Sequence, residues 1–190
     1  MKDMPSASFI CTGENALELS SAICCAGKLM KILKNSGYSI GGCYSCISPS
    51  KQAPVVAKKI KHMSAVSALV ITIGCEGFRP CDAIPDITNA LAEKDAQFFS
   101  HWLCAGDTGA HNETADKSQF PDSDYIFPSR ATAVFCSGAL VINMPDDVQN
   151  ARARLCALLP SINFAIMGSD SGKTQNFVYD DEFFAKFFAK

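Results

Sequence analysis

Residues 68–73 of this chain read ALVITI, a run dominated by β-branched side chains with no polar face. A strand with one wet face alternates apolar and polar residues, whereas a strand apolar on both faces must be covered on both. Such a run predicts a central, parallel strand between two helical layers. The flanking pattern agrees. Residues 8–12 read as a short buried strand, and 16–35 as a long helix with Leu17, Ile23, Leu29, Met30, Ile32 and Leu33 on its apolar side. Gly37 follows as a C-terminal stop. Residues 38–47 read as a second strand, and Pro49-Ser50 opens another helix carrying Val55, Val56, Ile60 and Met63. The order β-α-β-α-β predicts an α/β fold in three layers, a mostly parallel sheet with helices on both faces.

Downstream of the third strand, residues 74–82 form a glycine-bearing loop, and 84–94 read as a helix that continues helically over 98–103. Residues 105–124 are polar, aperiodic and expected to form a long surface loop. Two apolar runs, 131–136 and 139–143, surround Ser137-Gly138 and predict a hairpin. Asp146 or Asp147 is expected to cap a helix reaching Leu159, with 162–167 a further apolar segment. The expected organisation is one α/β domain over residues 1–167, then a linker and Phe-rich tail over 168–190. In the tail, Phe183, Phe184, Phe187 and Phe188 share one helical face. They suit a helix docked on its own core or, alternatively, a subunit contact.

Composition narrows the function classes. Apolar residues make up 48% of the 190 and charged residues 19%, which suits a densely cored domain rather than a disordered chain. Seventeen basic and 19 acidic side chains give a formal net charge of −2, without the basic excess expected of a protein that neutralises nucleic-acid phosphates. No apolar run is long enough for a membrane span, and the first residues lack the apolar core of a secretion signal, so a cytoplasmic location is expected. In that setting the ten cysteines read as reduced, mostly small core residues. Cys43-x-x-Cys46 stands alone, without a second pair at metal-ligand spacing. The segment 168–174, GSDSGKT, resembles a phosphate-binding loop but has three residues between its glycines rather than four, and reads as a linker.

In an open parallel sheet, ligands bind beyond the carboxyl ends of the strands. The loop after Thr12, the Pro49-Ser50 turn and residues 74–86 should meet there. Backbone amides of such a loop can hold an anion, and Asp82 suits either a helix cap or a metal ligand.

Residues 71–86, ITIGCEGFRPCDAIPD, resemble the motif T-T-G-G-T-G-x4-D-x-T-P-[DE] of the molybdopterin-binding domain in MoaB/MogA proteins of molybdenum cofactor synthesis. Ser129-Arg130 followed by 139–146, ALVINMPD, resembles that family's S-R and A-L-I-x-N-L-P-G. Residues 47–52, ISPSKQ, resemble its second-strand end. The three matches stand in the right order and span roughly residues 8–167. The resemblance implies a three-layer α/β domain, a homotrimer, a pterin phosphate (molybdopterin) as ligand, and adenylyl transfer from Mg-ATP in the enzymatic members. It implies Gly74, Cys75, Glu76 and Gly77 in the phosphate loop, and Asp82 as the catalytic and Mg²⁺-placing carboxylate. Pro85 and Asp86 would start the next helix. Ser50, Ser129, Asn143, Pro145 and Asp146 would stand around the cleft.

The chain departs from the motif where charge matters. Cys75 and Glu76 replace a glycine and a threonine, Asp146 replaces a glycine, and Ser50 stands where a second carboxylate is expected. A side chain at the glycine position restricts the backbone, and added carboxylates repel phosphate. Three readings follow: a pterin-phosphate adenylyltransferase, a non-catalytic binding or assembly module, or a cleft for a different, nucleotide-like or cationic ligand with Cys75 and Cys81 as site groups.

Overall fold

The structure, a computed structural model, describes residues 4–105 and 129–169. β1 (Ser6–Gly13) leads into α1 (Ala16–Asn35), β2 (Ser39–Ile47), a 3-10 turn (Pro49–Gln52), α2 (Ala53–Val66) and β3 (Leu69–Ile73). Then come α3 (Ile84–Ala90), β4 (Lys94–Asp95), α4 (Gln97–Ala105), the hairpin β5 (Ala133–Cys136) and β6 (Ala139–Met144), and α5 (Val148–Ser169). The six strands lie in the order β2-β1-β3-β6-β5-β4. β2, β1, β3 and β6 are parallel, whereas β5 runs antiparallel to β6 and β4. All five residues of β3 are buried, because α1 and α5 cover one face of the sheet and α2 and α3 the other. This is the expected three-layer α/β architecture.

Local chemistry sets the element ends. Asn15 caps α1 by accepting the N–H groups of Leu17 and Glu18 through Oδ1, at 3.0 Å each. Asp147 Oδ1 accepts the Asn150 N–H at 2.8 Å and caps α5, as expected. At the β5–β6 turn both Ser137 (φ +49°) and Gly138 (φ +82°) are left-handed, the geometry a two-residue hairpin requires.

Four expectations need correction. The buried face of α1 is formed by Ala22, Cys25, Ala26, Leu29 and Leu33, while Leu17 is 82% exposed and Ile23 also faces solvent. Small side chains let the helix sit close on β1, so the larger residues at its first turns are not the ones that point inward. The helix expected over 84–94 ends at Ala90, because Glu93 N–H and Ala96 N–H are captured by the carbonyls of Phe135 and Ala133, which makes Lys94–Asp95 an edge strand. α4 is therefore a separate helix. Finally, 162–167 continues α5 through Pro160. Proline removes one helical hydrogen bond, but Leu158, Leu159, Ile162 and Ile166 bury on either side of it and hold the helix on the core. Beyond residue 105 the expected 105–124 loop lies outside the described residues, as do the tail and most of the 168–174 segment.

All ten cysteines are free thiols, and Cys11, Cys25, Cys46, Cys75 and Cys136 are buried. Cys43 is exposed and Cys46 buried; three residues apart on one strand, they face opposite sides of the sheet.

Candidate functional site

β1 lies between β2 and β3, yet the chain leaves β1 for α1 on one face and leaves β3 for α3 on the other. Loops that diverge in this way open a crevice at the carboxyl edge of the sheet. Here the crevice is a cleft of about 360 Å³ lined by Thr12, Glu18, Gly74, Cys75, Glu76, Gly77, Arg79, Asp82, Pro145 and Asp146.

Gly74 fixes its floor. Its φ is +86°, its N–H donates to the Met144 carbonyl at 3.1 Å, and a Cβ there would fall 2.4 Å from the Thr12 carbonyl oxygen. Only glycine meets both conditions. Thr12 aims its hydroxyl at the carbonyls of Ile73 and Gly74, 3.0 Å from each, tying β1 to the start of the loop. Cys75 follows with φ +51°, a left-handed conformation costly for a side chain, by roughly 1–2 kcal/mol. Burial pushes its thiol up to about 11, so it stays protonated near neutrality.

Asp82 is 3% exposed and folds back across the loop. Its Oδ2 accepts the Arg79 backbone N–H at 2.9 Å and Nε at 3.2 Å; its Oδ1 accepts Nη2 at 3.0 Å. Gly77 leaves room for this turn, since a Cβ would stand 2.7 Å from Asp82 Oδ2. The same guanidinium reaches Glu18 on α1, with Nη1–Oε1 at 2.9 Å and Nη2–Oε2 at 3.3 Å. Arg79 thereby holds the Glu18 carboxyl below the usual carboxylate range, helped by the Glu14 N–H. On the opposite wall burial raises the Asp146 carboxyl, as do the charges of Glu18 and Asp147.

Glu76 lines the cleft but pairs with Arg154 of α5, Oε1–Nη1 at 3.7 Å, with side chains 15% and 5% exposed. Outside the cleft, Arg130 donates to the carbonyls of Gly77 and Asp82, 3.3 Å each, and pairs with the exposed Asp86. The β3–α3 loop is thus held by three arginines.

Of the residues singled out by sequence, Gly74, Cys75, Glu76, Gly77, Asp82, Pro145 and Asp146 come together around the cleft. Four do not line it. Asn143 is wholly buried on β6: its Nδ2 donates to Thr72 Oγ1 at 2.7 Å and Thr88 Oγ1 at 3.0 Å, and its Oδ1 accepts the Thr132 N–H. It cross-links β3, β6 and α3. Ser129 spends its hydroxyl on the Ala131 N–H at 3.1 Å. Asp86 faces Arg130, and Ser50 is half-buried in the turn after β2. Sequence reasoning passed over Thr12, Glu18, Arg79 and Arg154. Arg79 stands three residues before Asp82 and was open to notice; Arg154 lies two turns into α5 and leaves no local signal.

The arrangement does not suit a Mg²⁺ ion. Both oxygens of Asp82 are engaged by Arg79, and the described residues contain no group of three or more His, Cys, Asp or Glu side chains placed to hold a metal. A guanidinium already supplies the positive charge between Asp82 and Glu18.

No protein-family profile matches the chain, and no curated protein does. Solved structures do. The molybdopterin biosynthesis enzyme MoaB from Thermus thermophilus superposes with a TM-score of 0.70 at 16% identity, over 90% of this chain and 100% of that one. The tungsten cofactor synthesizing protein MoaB from Pyrococcus furiosus gives 0.61 at 11% identity, over 89% and 99%. CinA from Thermoplasma acidophilum, a protein of unknown function, gives 0.57 at 15% identity, over 84% and 98%. No helix among the described residues is long and apolar enough to cross a membrane. The chain has the fold of the MoaB/MogA molybdopterin biosynthesis proteins.

Proposed function

We propose that the chain acts in molybdenum cofactor biosynthesis, holding a pterin phosphate of the molybdopterin class in the β1/β3 cleft as a binding module rather than an adenylyltransferase. The engagement of Asp82 by Arg79 carries the second half of this reading. A metal-dependent transfer needs a carboxylate available to the ion, and here that carboxylate is committed to organising the loop. The first half rests on the fold, the β3 loop spacing and the position of the cleft at the switch point of the sheet. Assembly as a trimer and a cytoplasmic location belong to the same proposal; light scattering tests the former.

A second reading is favoured by the charge of the walls. With Glu76 paired to Arg154, Glu18, Asp82 and Asp146 still face the cleft against the single lining arginine, Arg79, which suits a ligand carrying a cationic group. Calorimetry with molybdopterin and with Mg-ATP, on the chain and on Asp146→Asn, separates the readings. A phosphate-bearing ligand should bind about tenfold tighter once the Asp146 charge is removed, while a cationic one weakens by a similar factor. Molybdopterin should bind, and Mg-ATP should neither bind nor yield adenylylated product. Failure of molybdopterin to bind either protein overturns the proposal, and product formation overturns its non-catalytic half.

A further inference from the structure

A second opening lies away from the cleft, between α4 and α5. It is an apolar groove of about 480 Å³ whose walls are Phe98 and Phe99 on one side, and Ala157, Pro160, Phe164 and Ala165 on the other. Phe98 and Phe164 are 61% and 75% exposed, while Phe99 beside them is buried. Phe98 also stacks edge-on against Phe99, with ring centroids 5.3 Å apart, so the groove has a preformed aromatic wall. Exposed aromatic surface of this kind marks a place where another apolar group belongs.

The sequence contains a group of that chemistry close by. α5 is described to Ser169, and 21 residues follow. Among them, Phe183, Phe184, Phe187 and Phe188 fall on one face at helical spacing, with Lys186 and Lys190 between and after them. Phe164 precedes Ser169 by five residues, about 7.5 Å along the helix. The 13 residues from 170 to 182 can span up to about 40 Å, ample to turn back along α5. A tethered segment also reaches an effective concentration on the order of millimolar, well above that of a second copy in dilute solution.

We infer that residues 183–188 of the same chain seat their phenylalanines in the α4/α5 groove and cover Phe98 and Phe164. The docked segment would complete the helical layer on the α1/α5 face of the sheet, and its site shares no residue with the β1/β3 cleft.

Hydrogen exchange on the full chain tests this, together with solution mass by light scattering. Backbone amides of 183–188 should exchange at least about tenfold more slowly than an unstructured segment, and equally so across about a hundredfold dilution. Phe164→Ser should abolish that protection while leaving β3 amides unchanged. The double variant Phe184→Ser/Phe188→Ser, which leaves every groove residue intact, should raise binding of an apolar dye without changing the mass. Unprotected tail amides in the unaltered chain overturn the inference. So does protection that survives both Phe164→Ser and Phe98→Ser in folded protein. A loss of protection on dilution, or a fall in mass in the tail variant, assigns the groove to a contact between copies and overturns it as well.

Discussion

The two ends of the β3–α3 loop are both held by ion pairs, but in opposite surroundings. At its start, Glu76 meets Arg154 with both side chains nearly buried. At its far end, Arg79, its side chain 55% exposed, meets the partly exposed Glu18 and the buried Asp82. Water competes for the Arg79–Glu18 contact and scarcely for the Glu76–Arg154 pair. The Glu76 end anchors the loop to α5, whereas at the other end Arg79 keeps its bonds to buried Asp82 and can release the more exposed Glu18 at small cost. A ligand entering the cleft therefore meets one fixed wall and one adjustable wall, and Arg79 is the group placed to change partners.

The contrast can be broken most severely at the buried end. Arg154→Met should destabilise the chain by about 3 kcal/mol, because it takes a cationic partner from a largely buried carboxylate, and the double variant Glu76→Leu/Arg154→Met should recover most of that loss in thermal melts. If the single variant melts like the unaltered chain, the two ends do not differ as described. At the exposed end Glu18→Gln should cost only about 0.5–1 kcal/mol in the same melts, because Arg79 keeps both oxygens of Asp82 and water replaces the lost pair. A loss as large as that of Arg154→Met would erase the distinction.

The smallest effect is read by titration. The Glu18 carboxyl, held low by Arg79, stabilises the fold above its unfolded-state value, and that contribution disappears as pH falls through its lowered folded value. NMR should find its midpoint below the ordinary carboxylate range, and Arg79→Ala should return it upward. A midpoint unchanged by that substitution would mean that the pair is not held in solution.

These pairs also explain what the sequence could and could not reveal. β3 and the hairpin were legible because two-sided apolar runs and a Ser-Gly turn carry their own local signature. The motif spacing led to the cleft because Gly74 and Gly77 are backbone requirements, visible as residue types. The apolar side of α1 was misread because a helix packed closely on a sheet turns alanine and cysteine inward, a preference hydrophobicity alone does not express. Lys94–Asp95 reads as the end of a helix until β5 is there to pair with it. The acidic departures at positions 76 and 146 suggested uncompensated repulsion; for Glu76, the compensation comes from a helix almost eighty residues later, beyond the reach of any local pattern.

Gly74 has a consequence for what stays fixed in such a site. With the Thr12 carbonyl 2.4 Å from where a Cβ would sit, any other residue there acts as a wedge between β1 and β3. The separation of β1 and β3 beneath the cleft is thus set by main chain at this point, whatever side chains line the walls above. The floor of the site therefore stays fixed while the charge of its walls, at Glu76 and Asp146, is carried by side chains that do not touch Gly74's constraint.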